Sequence, residues 1–323
     1  MRGKGEIHRL RVGEQDAGQR LDQVLAARLS GFSRTYSRRI IDLGGVHVDG
    51  RRTCRCSLQV REGQGIEVHL DGLPLEPFSV TERHIVFQDR YLLAIDKPAG
   101  IDTQPTHARY KGTLYEALLR YLHDPFRPQC RPELGMVQRL DRNTSGIMVF
   151  SIHPQAHKPL TQAMAARDIE KIYWALVQGV PSQRCGEIRT LLARGRRNNL
   201  VKSVPQGGRE ALTHYRVLHA WEDAALLEVR IPTGRSHQIR AHLAELGHPL
   251  LGDAAYGGCA SLGDFCVSRH MLHSLHLALR HPVTNAPLQL SAPLPQDMLA
   301  LLQHLGMPPD NLFSFPPKEP ESC

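Results

Sequence analysis

No apolar run in this chain approaches the roughly 18–20 residues needed to span a bilayer. Its opening, MRGKGEIHRLRVG, lacks the apolar middle of a secretory signal. A cytoplasmic protein with no membrane partner is therefore expected. Cysteine is sparse and odd in number: the seven residues scattered from Cys54 to Cys323 argue against a disulfide framework and for reduced thiols. Cys54-x-Cys56 has the wrong spacing for a zinc ribbon, and no second CxxC pair answers it. Histidine is plentiful at 18 residues, but no HExxH pair occurs. His237 and His242 lie five apart, which places them roughly 140° apart around a helix and unable to share one ion. No metal site is expected. Neither a GxGxxG fingerprint nor a P-loop is present, so no nucleotide cofactor is expected either.

What is present describes an ordinary globular protein: 323 residues, 41% hydrophobic and 22% charged. That length accommodates one large domain and a small one, each with its own core. A formal charge of +8 points to a polyanionic partner, usually nucleic acid, or to an anionic membrane surface.

Residues 1–15 read as a mobile basic extension, and residues 16–72 as a compact unit of their own. Leu21, Val24, Leu25 and Leu29 form the stripe of an amphipathic helix. Ser33 can cap a second helix, Arg34–Leu43, which Gly44-Gly45 ends. Val46–Val48, the Asp49-Gly50 turn and Ile66–Leu70 read as strands and a turn. Arg34, Arg38 and Arg39 crowd one side of the second helix, with Arg52 beyond the turn and few acidic residues nearby. Most such runs are solvated faces. The pattern R-L-D-x-x-L-A, S-R, G-x-V-x-V-D-G, however, resembles the S4 RNA-binding domain. That resemblance implies that these four arginines contact an RNA backbone as phosphate clamps.

Residues 71–80 read as a linker, and 81–306 as the larger domain. Its expected elements are a hairpin of His84–Phe87 and Leu92–Ile95, a rigid Asp96–Gly100 turn able to bring a lysine toward a ligand, and a helix Thr113–Leu122. A strand Ile147–Phe150, a helix Gln155–Arg167, and strands Lys171–Gln178, Leu212–Leu218 and Ala225–Arg230 follow. Helices Ser236–Leu246 and Gln296–Leu305 close the count. Strands grouped with few crossover helices predict an α+β fold with a mixed or antiparallel sheet, beside a small N-terminal α/β unit. Between Arg184 and Arg216, eight Lys/Arg stand against only Glu187 and Glu210, a second candidate RNA-facing and mobile segment. Residues 307–323 are Pro-rich and read as a disordered tail.

The most informative stretch is Gly135–Phe150, GMVQRLDRNTSGIMVF. It sets Asp141 between Arg139 and Arg142 in a polar turn that runs into a buried strand. Guanidinium groups keep such a carboxylate ionised. An isolated Arg-Leu-Asp is more often a surface ion pair, but the full string R-L-D-x-x-T-S-G resembles the signature turn of the RluA family of RNA pseudouridine synthases. K-x-Y-x-A-x-V at Lys171–Val177, G-R-x-H-Q-I-R at Gly234–Arg240, the segment from Gly247 and the Lys97-Pro-Ala-Gly turn complete the resemblance, in order.

The resemblance implies that Asp141 is the catalytic residue and that the target uracil packs on Tyr173. It also implies that Arg240, before Arg235, holds Asp141 by a salt bridge. Arg139, Arg235 and Ile239 then meet the substrate, and Trp174 is core. The reaction breaks the C1′–N glycosidic bond of a uridine, turns the base and rejoins it through carbon. It needs no redox change or energy input. Asp141 acts as a nucleophile on sugar or base, or as a base at C2′, alternatives the sequence leaves open. RNA is the expected partner, large-subunit (23S) ribosomal RNA before transfer RNA, with no DNA and a monomeric chain. Gln138, where many family members carry histidine, is expected to touch RNA recognition more than bond chemistry; the segment Asp102–His107 also departs from the family pattern. Two other readings remain: a non-catalytic RNA-binding or ribosome-assembly factor that keeps the fold, and a glycosidase pairing Asp141 with a second carboxylate. No second motif-borne carboxylate presents itself, so the glycosidase ranks last.

Overall fold

A computed structural model of the chain describes residues 5–195 and 200–307. Two compact units are seen: one joins the residues up to Thr81 to the segment Ile101–Pro132, the other joins Glu82–Gly100 to the residues from Glu133 on. The sequence boundaries at 16–72 and 81–306 are continuous stretches, whereas each unit is built from two.

In the first unit, strands β1 (Glu6–Arg11), β2 (Val46–Val48), β3 (Arg51–Thr53) and β4 (Gly65–Leu70) form an antiparallel sheet in the order β1-β4-β2-β3. Helices α1 (Leu21–Arg28) and α2 (Arg34–Leu43) bury Leu21, Leu25, Ile40 and Ile41 against Val46, Val48, Ile66 and Val68. The start and stop of α2 follow local chemistry. Ser33 accepts a hydrogen bond from the Tyr36 amide at 3.1 Å, and Gly44 takes the left-handed conformation, φ 87°, at the C-terminus. Helix α3 (Leu114–Tyr121) follows a loop fastened to this unit by Arg109, whose Nε and Nη2 donate to Asp71 at 2.8 and 3.1 Å.

The second unit is one eleven-stranded mixed sheet. Its strands are β5 (Ile85–Gln88), β6 (Leu92–Lys97), β7 (Gly135–Met136), β8 (Ser145–Ser151), β9 (Glu170–Gln178), β10 (Cys185–Arg194), β11 (Val201–Val204), β12 (Arg209–Ala220), β13 (Ala224–Arg230), β16 (Leu272–Arg280) and β17 (Pro287–Ser291). A separate ribbon, β14 (Ser261–Leu262) with β15 (Phe265–Cys266), precedes β16. The main path runs β11-β10-β12-β13-β9-β16-β8-β6-β5, and the pair β16–β8 is parallel. Helix α4 (Pro154–Ala166) covers the core of Leu92, Ala94, Ile147 and Val149. Helix α6 (Gln296–His304) covers that of Trp174, Leu176 and Leu226. Helix α5 (Gln238–Glu245) packs by β11 and β12.

The α+β expectation with a mixed sheet holds, and several details are corrected. Residues 6–11 are not an extension: Glu6 to Arg11 pair with Leu70 to Gly65, and Arg9 Nε reaches Glu67 at 2.9 Å. The charges of EIHRLR mask an alternation in which His8 and Leu10 face inward. The basic stretch 184–216, for which no strand was expected before Leu212, forms β10, β11 and the start of β12; residues 196–199 lie outside the described residues. Strands β16 and β17 were not foreseen. A central strand buried on both faces, as β16 is, has no polar alternation to read. Met307 is buried in the core, and the remainder of the expected tail lies outside the described residues. Among the described residues, Cys54, Cys56, Cys130, Cys259 and Cys266 are free thiols. Among the described residues, no helix is long and apolar enough to cross a membrane.

Candidate active site

The turn carrying Asp141 is held through its backbone. The Arg142 carbonyl accepts from Lys97 Nζ at 3.1 Å and from the Gly100 amide at 2.8 Å, and the Asn143 carbonyl accepts from Arg269 Nη1 at 3.0 Å. Arg269 is itself fixed by Asp297, at 2.6 and 2.9 Å. Thr144 Oγ1 lies 2.8 Å from His270 Nε2, and Ser145 Oγ 2.9 Å from His273 Nδ1. Gly146 follows at φ +115°, where a Cβ would stand 2.1 Å from the Ser274 carbonyl oxygen. Only glycine lets β8 approach β16 that closely. The Lys97 turn thus acts differently from the expectation: the ammonium is fully buried on backbone carbonyls and braces the Asp141 turn.

Asp141 Oδ2 accepts from Arg240 Nη1 at 3.0 Å and lies 3.8 Å from His237 Nε2. Arg240 turns its other nitrogens to the buried Asp253, Nε to Oδ2 at 2.7 Å and Nη2 to Oδ1 at 2.8 Å, and its guanidinium sits 4.9 Å from the Tyr256 ring centre. Burial pushes the Asp141 pKa up, but His237 and Arg240 outweigh it and hold the carboxyl below its usual range. His237 is itself lowered, first by burial, so at neutral pH it carries little charge and Arg240 is the standing cation. Burial acts likewise on His270, which falls to about 4. Burial raises the Tyr173 hydroxyl to about 12, keeping the ring neutral.

Asp141 opens on a cavity of about 400 Å³ lined also by Arg139, Tyr173, Arg235, Ile239 and Arg240. All the sequence-expected catalytic and substrate residues therefore converge. Strand alternation sends Tyr173 to the cavity and Trp174 to the core. Arg240, not Arg235, pairs with Asp141; Arg235 Nε donates to the Glu210 carbonyl at 2.9 Å. Arg139 is exposed, its Nη2 3.3 Å from Ser236 Oγ. Gln138 also lines the cavity, and its Nε2 is buried with no hydrogen-bond partner. The loop before α5 is positioned by Gln238, which accepts from the Arg235 amide at 3.0 Å and donates to the Leu212 carbonyl at 2.8 Å. His237 adopts φ 52°, so α5 starts at Gln238, two residues later than the pattern suggested.

Four contributors were not assigned from sequence: Asp253, Tyr256, Arg269 and His270. The first two fall in the segment from Gly247, to which the sequence assigned no role in the site. The last two precede β16, the unforeseen strand. Of the histidines weighed for metal, His237 Nδ1 bonds the Tyr256 hydroxyl at 3.0 Å and His242 Nδ1 the Thr213 hydroxyl at 2.8 Å.

In the first unit, Arg34, Arg38 and Arg39 are more than half exposed along α2. They are better partnered than the sequence suggested. The fully buried Asp22 collects Arg20 at 3.0 Å, Arg34 at 3.2 Å and Arg38 at 4.0 Å. Arg52 lies apart from them. It pairs across from His47, on the sheet face opposite the helices, and its guanidinium donates to the Thr106 carbonyl.

The RNA pseudouridylate synthase family matches residues 91–245, and the S4 domain matches residues 19–66. An uncharacterized RNA pseudouridine synthase of Chloroflexus aurantiacus is 38% identical over 316 residues, covering 94% of this chain and 98% of the relative. A ribosomal large subunit pseudouridine synthase D of Nitrosomonas europaea is 36% identical, covering 95% and 90%. The solved structure of human RNA pseudouridylate synthase domain containing 4 superposes with a TM-score of 0.58 at 25% identity, over 69% of this chain and 93% of its own. The chain therefore belongs to the RluA family of RNA pseudouridine synthases, isomerases that act on RNA, and carries an S4 RNA-binding domain at its N-terminal end.

Proposed function

We propose that the chain isomerises uridines of large-subunit ribosomal RNA, with Asp141 as the reacting carboxylate. The observation that carries the catalytic assignment is the 3.0 Å bond from Arg240 to Asp141 at the wall of the cavity that Tyr173 also lines. The ribosomal target rests on relatives named ribosomal large subunit pseudouridine synthase D, such as that of Nitrosomonas europaea.

A uridine inside folded RNA must leave its stack before it can react, at a cost of a few kcal/mol. Arg139, exposed at the cavity, is suited to fill the vacated space. The extruded base packs on the Tyr173 ring, which stays protonated because burial raises its pKa to about 12. Asp141 meets the nucleoside already ionised, since Arg240 offsets the burial that would otherwise protonate it. Both contacts of Arg240 and His237 fall on Oδ2, so Oδ1 is the oxygen that faces the reaction, whether as nucleophile or as base at C2′. Asp253 keeps Arg240 from leaving Asp141 by occupying its other nitrogens.

The test is to map pseudouridines in cells lacking the gene and in cells complemented with wild type or Asp141→Asn. Specific large-subunit sites should vanish on deletion and return with wild type alone. Loss of transfer-RNA sites instead would move the target. Restoration by Asp141→Asn would remove the carboxylate from the mechanism and leave the binding-factor reading.

A further inference from the structure

We infer that His47, His69 and His107 bind one divalent transition-metal ion of the zinc class and so fasten the segment after Ile101 to the four-stranded sheet of the first unit. In β2, Val46 and Val48 face the helices, so His47 points to the opposite face. Its register partners are Arg52 on β3 and Glu67 on β4. His69 stands two residues beyond Glu67 on the same face. The segment after Ile101 lies over this face: the amides of Tyr110 and Lys111 donate to the Leu43 carbonyl at 2.7 and 3.1 Å, and His107 brings a third imidazole.

One nitrogen from each ring can be chosen so that all three lie within 4.8 Å of one another. Zinc–nitrogen bonds of about 2.0–2.1 Å place ligand nitrogens about 3.4 Å apart in a tetrahedron. Closure therefore needs shifts of an ångström or so, and the exposed His107 is the ring most able to make them. Simple ring packing is the competing account, since His47 and His69 meet edge-on at 87° with centroids 5.0 Å apart. It leaves unexplained why Nδ1 of His47, a residue 6% exposed, is buried without any hydrogen-bond partner. A buried ring nitrogen without a partner calls for one, and an ion held among the three imidazoles would supply it.

Glu67 Oε2 lies 3.4 Å from His69 Nε2, the carboxylate–histidine arrangement that orients a metal ligand and leaves Nδ1 to bind. Arg52, across the ladder from His47, would repel an ion; its Nη2 donates to the Thr106 carbonyl, and Glu67, which also bonds Arg9, supplies the negative charge on this face. Three imidazoles leave the fourth position to water.

The test uses the full-length protein stripped with chelator and titrated with Co²⁺, read by its visible d–d absorption, with Zn²⁺ as competitor. The expected result is one equivalent bound with the intense bands of a four-coordinate site, displaced by Zn²⁺. His107→Ala, a change at an exposed loop position that leaves the core alone, should abolish the bands. Glu67→Gln should weaken binding about tenfold, and His219→Ala should change nothing. No saturable absorption in the wild type, or equal affinity in His107→Ala with the fold verified by circular dichroism, overturns the inference. Neither outcome depends on pseudouridine formation, so the reading of Asp141 is tested separately.

Discussion

Arg240 gives Asp141 a single hydrogen bond, Nη1 to Oδ2 at 3.0 Å, because its remaining nitrogens are committed to Asp253. One guanidinium thus serves two carboxylates, a buried one that fixes it and a cavity-facing one that it holds.

Removing the cavity-facing charge should separate chemistry from folding. Asp141→Asn leaves the Arg240–Asp253 pair intact, so the fold should survive with only a small drop in melting temperature. Turnover on RNA should fall by about 10³-fold or more, with RNA affinity unchanged. Single-turnover pseudouridine formation and a binding isotherm check both halves.

Arg240→Met should do more damage. It strands Asp253, a 2% exposed carboxylate, with no counter-charge. Breaking a buried pair in this way costs about 3–5 kcal/mol. Urea unfolding should show that loss. The Asp253→Asn, Arg240→Met double variant should be less destabilised than the sum of the singles.

The dependence on pH follows from shifts of opposite cause. The Asp141 pKa is lowered in the folded state, so its contribution to stability is complete above the ordinary carboxylate value and is lost as pH falls through the folded one. Activity limited by its ionisation should therefore stay flat from pH 5 upward on the acid side. His270 and His273 are both lowered to about 4, burial first, from 6.5. The unfolded chain takes up those protons first, so stability should decline as pH falls from about 6.5 to about 4, by roughly 3 kcal/mol for each histidine. Melting temperatures across that range, with His273→Gln for comparison, test the sign. A rise in stability on acidification would contradict it.

Gly146→Ala should split β8 from β16. Its φ of +115° and the 2.1 Å approach to the Ser274 carbonyl leave no room for a methyl group. A cost of about 3 kcal/mol or more is expected, with activity lost because the Asp141 turn enters the sheet there. Chemical denaturation reads the first effect and turnover the second.

On α2, the triple change Arg34→Ala, Arg38→Ala, Arg39→Ala should flatten the salt dependence of RNA binding by about 2–3 in log–log slope. Arg20 remains to pair with Asp22, so the fold should survive. Arg52→Ala should change the slope little, because that guanidinium lies on the sheet face opposite α2, with Nη2 held by the Thr106 carbonyl. Filter-binding across a salt series distinguishes the two faces.

Much of this was legible in the order of residues, wherever the cause is local. Ser33 and Gly44 bound a helix through contacts a few residues long, and the pattern Arg-Leu-Asp with Thr-Ser-Gly marks a turn by its own chemistry. Alternation along Lys171–Val177 already separates Tyr173 from Trp174. Charge pairing across long stretches was not legible. Nothing near Arg240 in the chain announces Asp253 as its anchor, and nothing near Arg142 announces that Lys97 holds its carbonyl. Strand β16 escaped because burial on both faces erases the periodicity, and β1 because exposed charges overlay it. The three imidazoles of His47, His69 and His107 meet only when two strands and a distant loop stack on one face. Sequence determined which groups the chain owns and what each does within a turn or so of backbone. The tertiary fold decided which of them are dry and which charge stands beside which, since desolvation and Coulomb attraction depend on distance through space.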